Sequence, residues 1–373
     1  MKTKITFLSI LSISILYLFC LPITYSCQNM RNQYKFNLIG TGSNTPMIDS
    51  VELGVTRDDG IPRLYTTREW NNSSGYEYTL SGSDWGMIET FKASAYCSSP
   101  VIADLKKEKN NSLFLGGWNG AGILMIKFKN DSPDPMILPG STGKGNILAM
   151  LSGDGRNDGK SRLYVAHWSQ DGLIEYSWNG QNYISKQIFK KSLGRFAIGK
   201  GRNDKTNRIY FVERGGTALH ELSWDGLCFT DKIIFNGNTV SNGSVFVSDG
   251  RGDGINRLYV WAGSLFELTY KDGQWKSLLL DESNIERYYI TAGSIRKDNK
   301  PGVYVSVKKK GLYEYVWSKT KKKYDLDVIT GATGGCVIGD GRGDGNNRLY
   351  VARGTKGYFT KAAIVEIWEE TEK

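Results

Sequence analysis

Apolar and polar residues alternate along the chain in runs of six or so, the period of strands with one buried face, and no stretch of similar length keeps a helical period. The clearest runs are Leu173-Ile-Glu-Tyr-Ser-Trp178, Leu219-His-Glu-Leu-Ser-Trp224, Leu265-Phe-Glu-Leu-Thr-Tyr270 and Leu312-Tyr-Glu-Tyr-Val-Trp317. Around the first of these the pattern predicts an antiparallel sheet. A buried inner strand of the kind seen at Phe196 to Ile198 leads through a glycine-rich turn to a second strand, Arg162 to Ala166. A loop, the strand Leu173 to Trp178, the hairpin dipeptide Asn179-Gly180 and a fourth strand, Tyr183 to Phe189, complete it.

The module recurs. Gly153-Asp-Gly-Arg-Asn-Asp-Gly-Lys-Ser-Arg-Leu-Tyr-Val165 is echoed by Ser248 to Val260 and by Gly339 to Val351, and weaker copies place the second-strand aromatic at Tyr65, Phe114, Tyr164, Tyr210, Tyr259, Tyr304 and Tyr350. The spacings run from 45 to 50 residues, the length of four short strands with their turns and of one propeller blade. The expected fold is therefore all-β: a seven-bladed β-propeller of four-stranded antiparallel blades forming a single domain over residues 27–373. The seventh copy ends at its third strand, Ile364-Val-Glu-Ile-Trp368, whereas Tyr34-Lys-Phe-Asn-Leu-Ile39 precedes the first copy and has the character of an outer strand. The expectation is that this N-terminal strand completes blade 7 and closes the ring, which removes an open edge.

Composition supports a turn-rich folded chain: 44 of the 373 residues are Gly, with 40% hydrophobic and 23% charged residues. Such a sequence has enough apolar surface to offset the entropy of ordering. Met1 to Ser26 carries Lys2 and Lys4, an apolar run from Ile5 to about Leu21 and a short polar stretch, the three regions of a signal peptide that directs export; a membrane anchor is the rival reading. Cleavage after Ser26 leaves Cys27 first, as in a lipid-anchored protein, although Thr24-Tyr25 match a lipobox poorly. Localisation is thus expected to be secreted, periplasmic or cell-surface, with membrane contact only through a lipid on Cys27. The formal charge is +10, or +8 without Lys2 and Lys4, but its lysine clusters are short and scattered, so no nucleic-acid partner is expected. Cys27, Cys97, Cys228 and Cys336 are far apart and are expected to be free and buried, with one long-range bridge as the alternative.

The glycine-rich turn resembles the FG-GAP type repeat of seven-bladed propellers, whose loop binds calcium through carboxylates at its first, third, fifth and ninth positions. The resemblance implies the propeller fold and a metal at each loop, but the ligands differ. The third position is Arg57, Lys106, Arg156, Arg202, Arg251, Arg296 and Arg342; the fifth is Asp59, Glu108, Asp158, Asp204, Asp253, Asp298 and Asp344; the ninth is Arg63, Ser112, Arg162, Arg208, Arg257, Gly302 and Arg348. Calcium takes six to eight oxygens, and a guanidinium about 4 Å away adds roughly 4 kcal/mol of repulsion at an effective dielectric of 20. Metals and other cofactors are accordingly not expected. The arginines are expected to take the cation's place, spanning the loop carboxylate and backbone carbonyls. The third-strand Glu77, Glu175, Glu221, Glu267, Glu314 and Glu366, with Met125 the exception, are second candidate partners. Charges repeated in nearly every blade are expected to be structural, since a catalytic group is needed once.

Arg251-Gly-Asp253 and Arg342-Gly-Asp344 spell an adhesion tripeptide but fall on this turn, and Gly140 to Gly145 lacks the spacing of a phosphate loop. His167, Ser169 and Asp171 share one short loop, which is poor triad geometry, and His220 alternates within a strand. No catalytic residue is assigned. The loops after the second strands are singular, and Trp70, Trp118, Trp168 and Trp261, flanked by polar residues and by Arg214 and Arg353, have the composition of sugar sites. The expected function is lectin-like carbohydrate recognition on one propeller face. The alternatives are a scaffold for a surface protein, or a hydrolase or lyase at the central channel, which needs an acid or base cluster that is not repeated.

Overall fold

A computed structural model describes residues 34–40, 48–68, 74–92, 95, 100–108, 110–169, 171–238, 240, 242–282, 287–307, 310–352 and 363–369. Seven four-stranded antiparallel sheets stand in a ring as a β-propeller. Within blades 1 to 6 the chain runs outward from the centre. The inner strands of blades 1 to 7 are Ile48–Gly54, Val101–Ala103, Ile147–Gly153, Leu193–Gly199, Ser244–Ser248, Arg287–Gly293 and Cys336–Gly339. The second strands are Arg63–Arg68, Ser112–Gly116, Arg162–His167, Arg208–Glu213, Arg257–Trp261, Gly302–Val307 and Arg348–Ala352. Third strands are Ser74–Ser81, Ile123–Lys129, Leu173–Trp178, Ala218–Trp224, Leu265–Lys271, Gly311–Ser318 and Ile364–Glu369. Outer strands are Asp84–Lys92, Ser132–Ile137, Tyr183–Phe189, Phe229–Asn236, Gln274–Asp281, Lys323–Thr330 and, for blade 7, Tyr34–Ile39.

The closing strand pairs antiparallel with Ile364–Glu369 from Tyr34↔Glu369 to Ile39↔Ile364. Its ends are buried, and Tyr34 reaches into blade 6, where its hydroxyl donates to Glu314 at 2.7 Å. Closure therefore joins three segments of the chain.

The second strands are buried on both faces, so their side chains form the core between blades. Tyr65, Phe114, Tyr164, Tyr210, Tyr259, Tyr304 and Tyr350 are all at most 1% exposed. Their hydroxyls explain a glycine of the repeat: a Cβ at Gly155, Gly250 or Gly341 would lie 2.4–2.6 Å from the tyrosine oxygen of its own blade. Further round the turn, Asn157, Asn203, Gly252 and Gly343 all have φ between 59° and 67°, a conformation that Gly and Asn tolerate best. The Gly of both Arg-Gly-Asp tripeptides is accounted for by that geometry.

Candidate functional site

Strand order puts the glycine-rich turns and outer hairpins at one end of the propeller, and the second-to-third-strand loops and blade crossovers at the other. At the glycine-rich end each third-strand glutamate is buried, at most 1% exposed, and gathers the charges around it. Arg156 grips Glu175 with Nη2 and with Nε at 3.0 Å; Arg202 and Arg251 hold Glu221 and Glu267 in the same way, and Arg342 holds Glu366 at 2.6 Å through both donors. In blade 1, Nη2 of Arg57 reaches both oxygens of Glu77 at 2.6 and 2.7 Å. This corrects the expectation that Arg156, Arg251 and Arg342 bind the loop carboxylates Asp158, Asp253 and Asp344. The ninth-position arginine does so instead. Arg162 makes two parallel bonds of 2.6 and 2.8 Å to Asp158 and a third to the Lys160 carbonyl, and Arg257 and Arg348 repeat this on Asp253 and Asp344. The reason is reach: the ninth residue opens the second strand beside the turn, while the third projects from the turn toward the third strand.

The guanidiniums of the third position also bind blade to blade. Arg156, Arg202 and Arg251 lie 4.2, 4.8 and 3.4 Å from the ring centroids of Trp224, Tyr270 and Trp317, each on the next blade, and Arg57 lies 4.5 Å from Phe128. The bond from Arg63 pulls the Asp59 carboxyl down to about 2, and Arg257 does the same for Asp253. The pairs are bidentate, and the Nε of Arg63, Arg162, Arg208, Arg257 and Arg348, buried without a hydrogen bond, lies 3.2–3.8 Å from the third-strand glutamate. Among the described residues no group of three or more His, Cys, Asp or Glu side chains is placed to hold a metal.

At the opposite end, three of the residues singled out from the sequence converge. Trp118 of blade 2 and Trp168 of blade 3 meet edge to face at 5.5 Å, and the guanidinium of Arg214 from blade 4 lies 4.6 Å from the Trp168 ring centroid. All three are half-buried. The ledge is fixed from beneath. Asn146 accepts the Trp168 amide at 2.8 Å through its carbonyl and the Asn119 amide at 2.7 Å through its side chain, and Arg214 Nε donates to Asn242 at 3.0 Å. Burial pulls the Arg214 guanidinium below its ordinary pKa. Beside Trp168, His167 Nδ1 bonds the Gly145 carbonyl, Asp171 accepts the Gly145 amide, and Ser169 donates to Asp171. These three residues clamp the backbone on both sides of Gly145 and form no triad.

Trp261 is a correction. It is 2% exposed and packs in the core between blades 4, 5 and 6, because the residue ends a strand buried on both faces. A ring without a free face offers no sugar platform. Trp70 and Arg353 lie outside the described residues, as do Met1 to Ser26, Cys27 and Cys97. Cys228, expected to be buried, is an exposed free thiol beside an outer hairpin, whereas Cys336 is half-buried on an inner strand, with its thiol pushed up to about 12 by burial.

Sequence reading named a central channel but picked no residue in it. Inner strands enclose a volume of about 480 Å³. The position facing the buried second-strand aromatic is apolar in Val101, Leu151, Ala197, Phe246 and Val337, but is Glu52 in blade 1 and Thr291 in blade 6. Burial holds the Glu52 carboxyl up at about 8. Nearer the mouth, Arg195 Nη2 donates to the Tyr289 hydroxyl at 2.5 Å. The signal was present as an acid at a position that the other copies keep uncharged.

No protein-family model matches the chain, and no curated protein matches its sequence. Solved structures are similar to it in fold. BBS1N, crystallised in complex with ARL6DN and soaked with lead, is 14% identical, with 92% of this chain and 99% of that chain covered at a TM-score of 0.58. AofleA from Arthrobotrys oligospora is 13% identical, with 81% and 91% covered at a TM-score of 0.43. The likeness to BBS1N, at this identity, speaks for the propeller alone.

Proposed function

We propose that this propeller is an exported binding protein that recognises carbohydrate on the ledge built by Trp118, Trp168 and Arg214. One observation carries the reading: three side chains from three successive blades, none of them part of the repeated ion-pair pattern, converge at the end where the loops are singular. Half-exposed indole rings supply apolar faces on which sugar rings stack, and a guanidinium among asparagines supplies planar donors and acceptors for hydroxyls. A shallow site of this kind gains from several contacts at once, which suits a glycan-bearing surface.

At the glycine-rich end, the paired guanidiniums serve in place of the calcium that FG-GAP-like loops hold. Export follows from the N-terminal segment, and a lipid on Cys27 would tether the propeller to a membrane.

One set of measurements tests both ends: thermal shift of the mature protein against a glycan panel, divalent cations and a chelator, followed by titration of any hit into Trp168→Ala. The expected result is a rise in Tm with at least one glycan, lost in Trp168→Ala, and no change with chelator or cations. If no glycan binds while a surface protein is captured through the same face, the scaffold reading replaces this one. A fall in Tm with chelator overturns the calcium-free loop.

A further inference from the structure

Blade 6 keeps the acceptors of the repeated ion-pair unit and lacks one of its donors. Blade 5 shows the complete set. There Oε2 of Glu267 takes the hydroxyls of Tyr259 and Tyr324 and Nε of Arg251, while Oε1 faces Nη2 of Arg251 and, at 3.6 Å, Nε of Arg257. Arg257 in turn forks onto Asp253 and donates to the Ile255 carbonyl. One glutamate oxygen takes the tyrosines, and the other is left wholly to arginine.

In blade 6 the tyrosine side is intact: Tyr304 and Tyr34 donate to Oε1 of Glu314 at 3.1 and 2.7 Å. The arginine side is bare. Among the described residues, Oε2 of Glu314 is the one carboxylate oxygen buried without a hydrogen bond, on a side chain that is 0% exposed. The counterpart of Arg257 is Gly302. Arg296, the counterpart of Arg251, is turned to Asp298 and to the Tyr34 hydroxyl, 3.3 Å from each, and its Nη1 stays 3.7 Å from Oε1. A side chain at position 302 would be crowded: a Cβ there would lie 2.9 Å from the Tyr304 hydroxyl and 3.1 Å from Glu314 Oε1. The cause is Ile295, which replaces the glycine against which this hydroxyl lies in blades 3, 4, 5 and 7.

The seat for the guanidinium itself survives. The Lys300 amide donates to Asp298 at 3.1 Å as the Ile255 amide does to Asp253 at 3.2 Å, and Asn299 keeps the left-handed backbone of Gly254. Asp298 and the Lys300 carbonyl therefore stand where Asp253 and the Ile255 carbonyl receive Arg257. Beside them lies a cavity of about 590 Å³ lined by Arg296, Asp298, Lys300, Val316, Asp325 and Asp327. Val316 is the cross-strand partner of Gly302, so the cavity borders the room that the missing side chain would fill. Asp327, opposite Glu314 on the outer strand, is an acid where blades 3 and 4 carry Lys186 and Lys232.

We infer that this cavity is a binding site for a guanidinium group, which seats between Asp298 and the bare oxygen of Glu314 as the ninth-position arginine does in other blades. A planar cation with forked donors suits acceptors spread over two carboxylates and a carbonyl, whereas an ammonium is a point charge. A metal ion needs ligands converging on one point, and no such group occurs among the described residues. Arg296 does not exclude a second guanidinium, since two converge on one glutamate in blades 1, 3, 4, 5 and 7. Lys300 Nζ, 2.8 Å from Asp298, is on a side chain 65% exposed and yields at little cost. A cation on Oε2 would also offset the burial that raises the Glu314 pKa. The group can come from an arginine of a partner protein or from a small guanidino compound. The site lies at the end opposite the carbohydrate ledge and is independent of it.

The test is calorimetric titration of the purified protein with methylguanidinium, N-acetylarginine amide and an arginine-bearing peptide, each matched by its amine counterpart: methylammonium, N-acetyllysine amide and the lysine peptide. The guanidinium probes are expected to bind, and the amines to bind about tenfold or more weaker. Glu314→Gln, which keeps an acceptor for the tyrosine hydroxyls, and Asp298→Asn, at an exposed position, should each weaken the guanidinium probes by a similar factor. Ile295→Gly/Gly302→Arg, which returns both positions to the residues of blade 5, should abolish binding by filling the seat. Methylguanidinium bound as tightly as the peptide points to a small guanidino compound as the source, and a peptide bound more tightly points to a partner's arginine. No response to any guanidinium probe, equal binding of the amines, or binding unchanged in Asp298→Asn would each overturn the inference.

Discussion

Blades 2 and 3 stand side by side and solve the same packing problem with different chemistry. In blade 3, Arg156, Arg162 and Tyr164 close on Glu175: the Tyr164 hydroxyl donates at 3.0 Å, Arg156 is bidentate, and Arg162 Nε lies 3.7 Å away. In blade 2 the four corresponding positions are Lys106, Ser112, Phe114 and Met125. Every member has changed together. Met125 is fully buried, Tyr183 of blade 3 sets its hydroxyl 3.4 Å from the sulfur, and Lys106 turns to the Trp178 ring, 3.9 Å from its centroid. The difference teaches that the network behaves as a unit: a buried charge left by a departed partner costs far more than a charge set replaced as a whole by apolar groups of similar volume. Blade 6 lies between the two. It has Gly302 where an arginine belongs, Glu314 holds Tyr304 and Tyr34 on one oxygen, and burial raises its pKa.

The largest effects should come from splitting a unit. Glu175→Ala takes the shared acceptor from Arg156 and from the Nε side of Arg162, and should cost about 3–5 kcal/mol. Met125→Glu puts a carboxylate into blade 2 with no arginine to grip it and only the Tyr183 hydroxyl beside it, and should cost about 1–3 kcal/mol. Denaturant unfolding of the two variants measures both, and a loss under about 1 kcal/mol in either would show that the glutamates are hydrated rather than sealed. Transplanting the blade 2 solution sharpens the comparison. The fourfold variant Arg156→Lys, Arg162→Ser, Tyr164→Phe, Glu175→Met should be more stable than Glu175→Ala alone, despite its three further changes. If the losses simply add, the unit is a set of independent pairs.

Much of this fold was legible because its signals are local and repeated. The period of about 47 residues, the alternation in Leu173–Trp178, and the unmatched strand at Tyr34–Ile39 each follow from nearest-neighbour chemistry. The arginine and glutamate columns were equally visible, but their pairing was not. Arg156 reaches a glutamate 19 positions onward and stacks on a tryptophan of another blade, geometry that only the assembled sheets define. Trp261 was misplaced for a related reason: it ends its strand just before a loop that reads as surface, while the neighbouring blades bury it. Glu52 went unnoticed because an acid alternating with Val51 and Leu53 reads as the wet face of a strand. Only ring closure turns that face into a channel.

The smallest expected effect lies in the outer layer of the same units, the fifth-position aspartates. Asp158 is 41% exposed and Asp253 35%, so each bond to its arginine is screened by water, and Asp158→Asn should cost under about 1 kcal/mol. Their collective signature is in acid. Asp59 and Asp253 are drawn down to about 2, and Asp158 and Asp344 lower still, by the arginine bonds. A carboxyl whose pKa is depressed on folding contributes stability above the unfolded value, near 4, and gives it up as pH falls through the folded value. The Tm should therefore hold down to about pH 4 and drop between 4 and 2. In Asp59→Asn/Asp158→Asn/Asp253→Asn/Asp344→Asn the drop should be shallower, since four of the groups that take up protons on acid unfolding are gone. Blade 2 makes no such arginine–aspartate bond, so Glu108→Gln should leave the acid limb where it was. A limb that moves as far with Glu108→Gln as with the four aspartates would assign it to general surface charge instead.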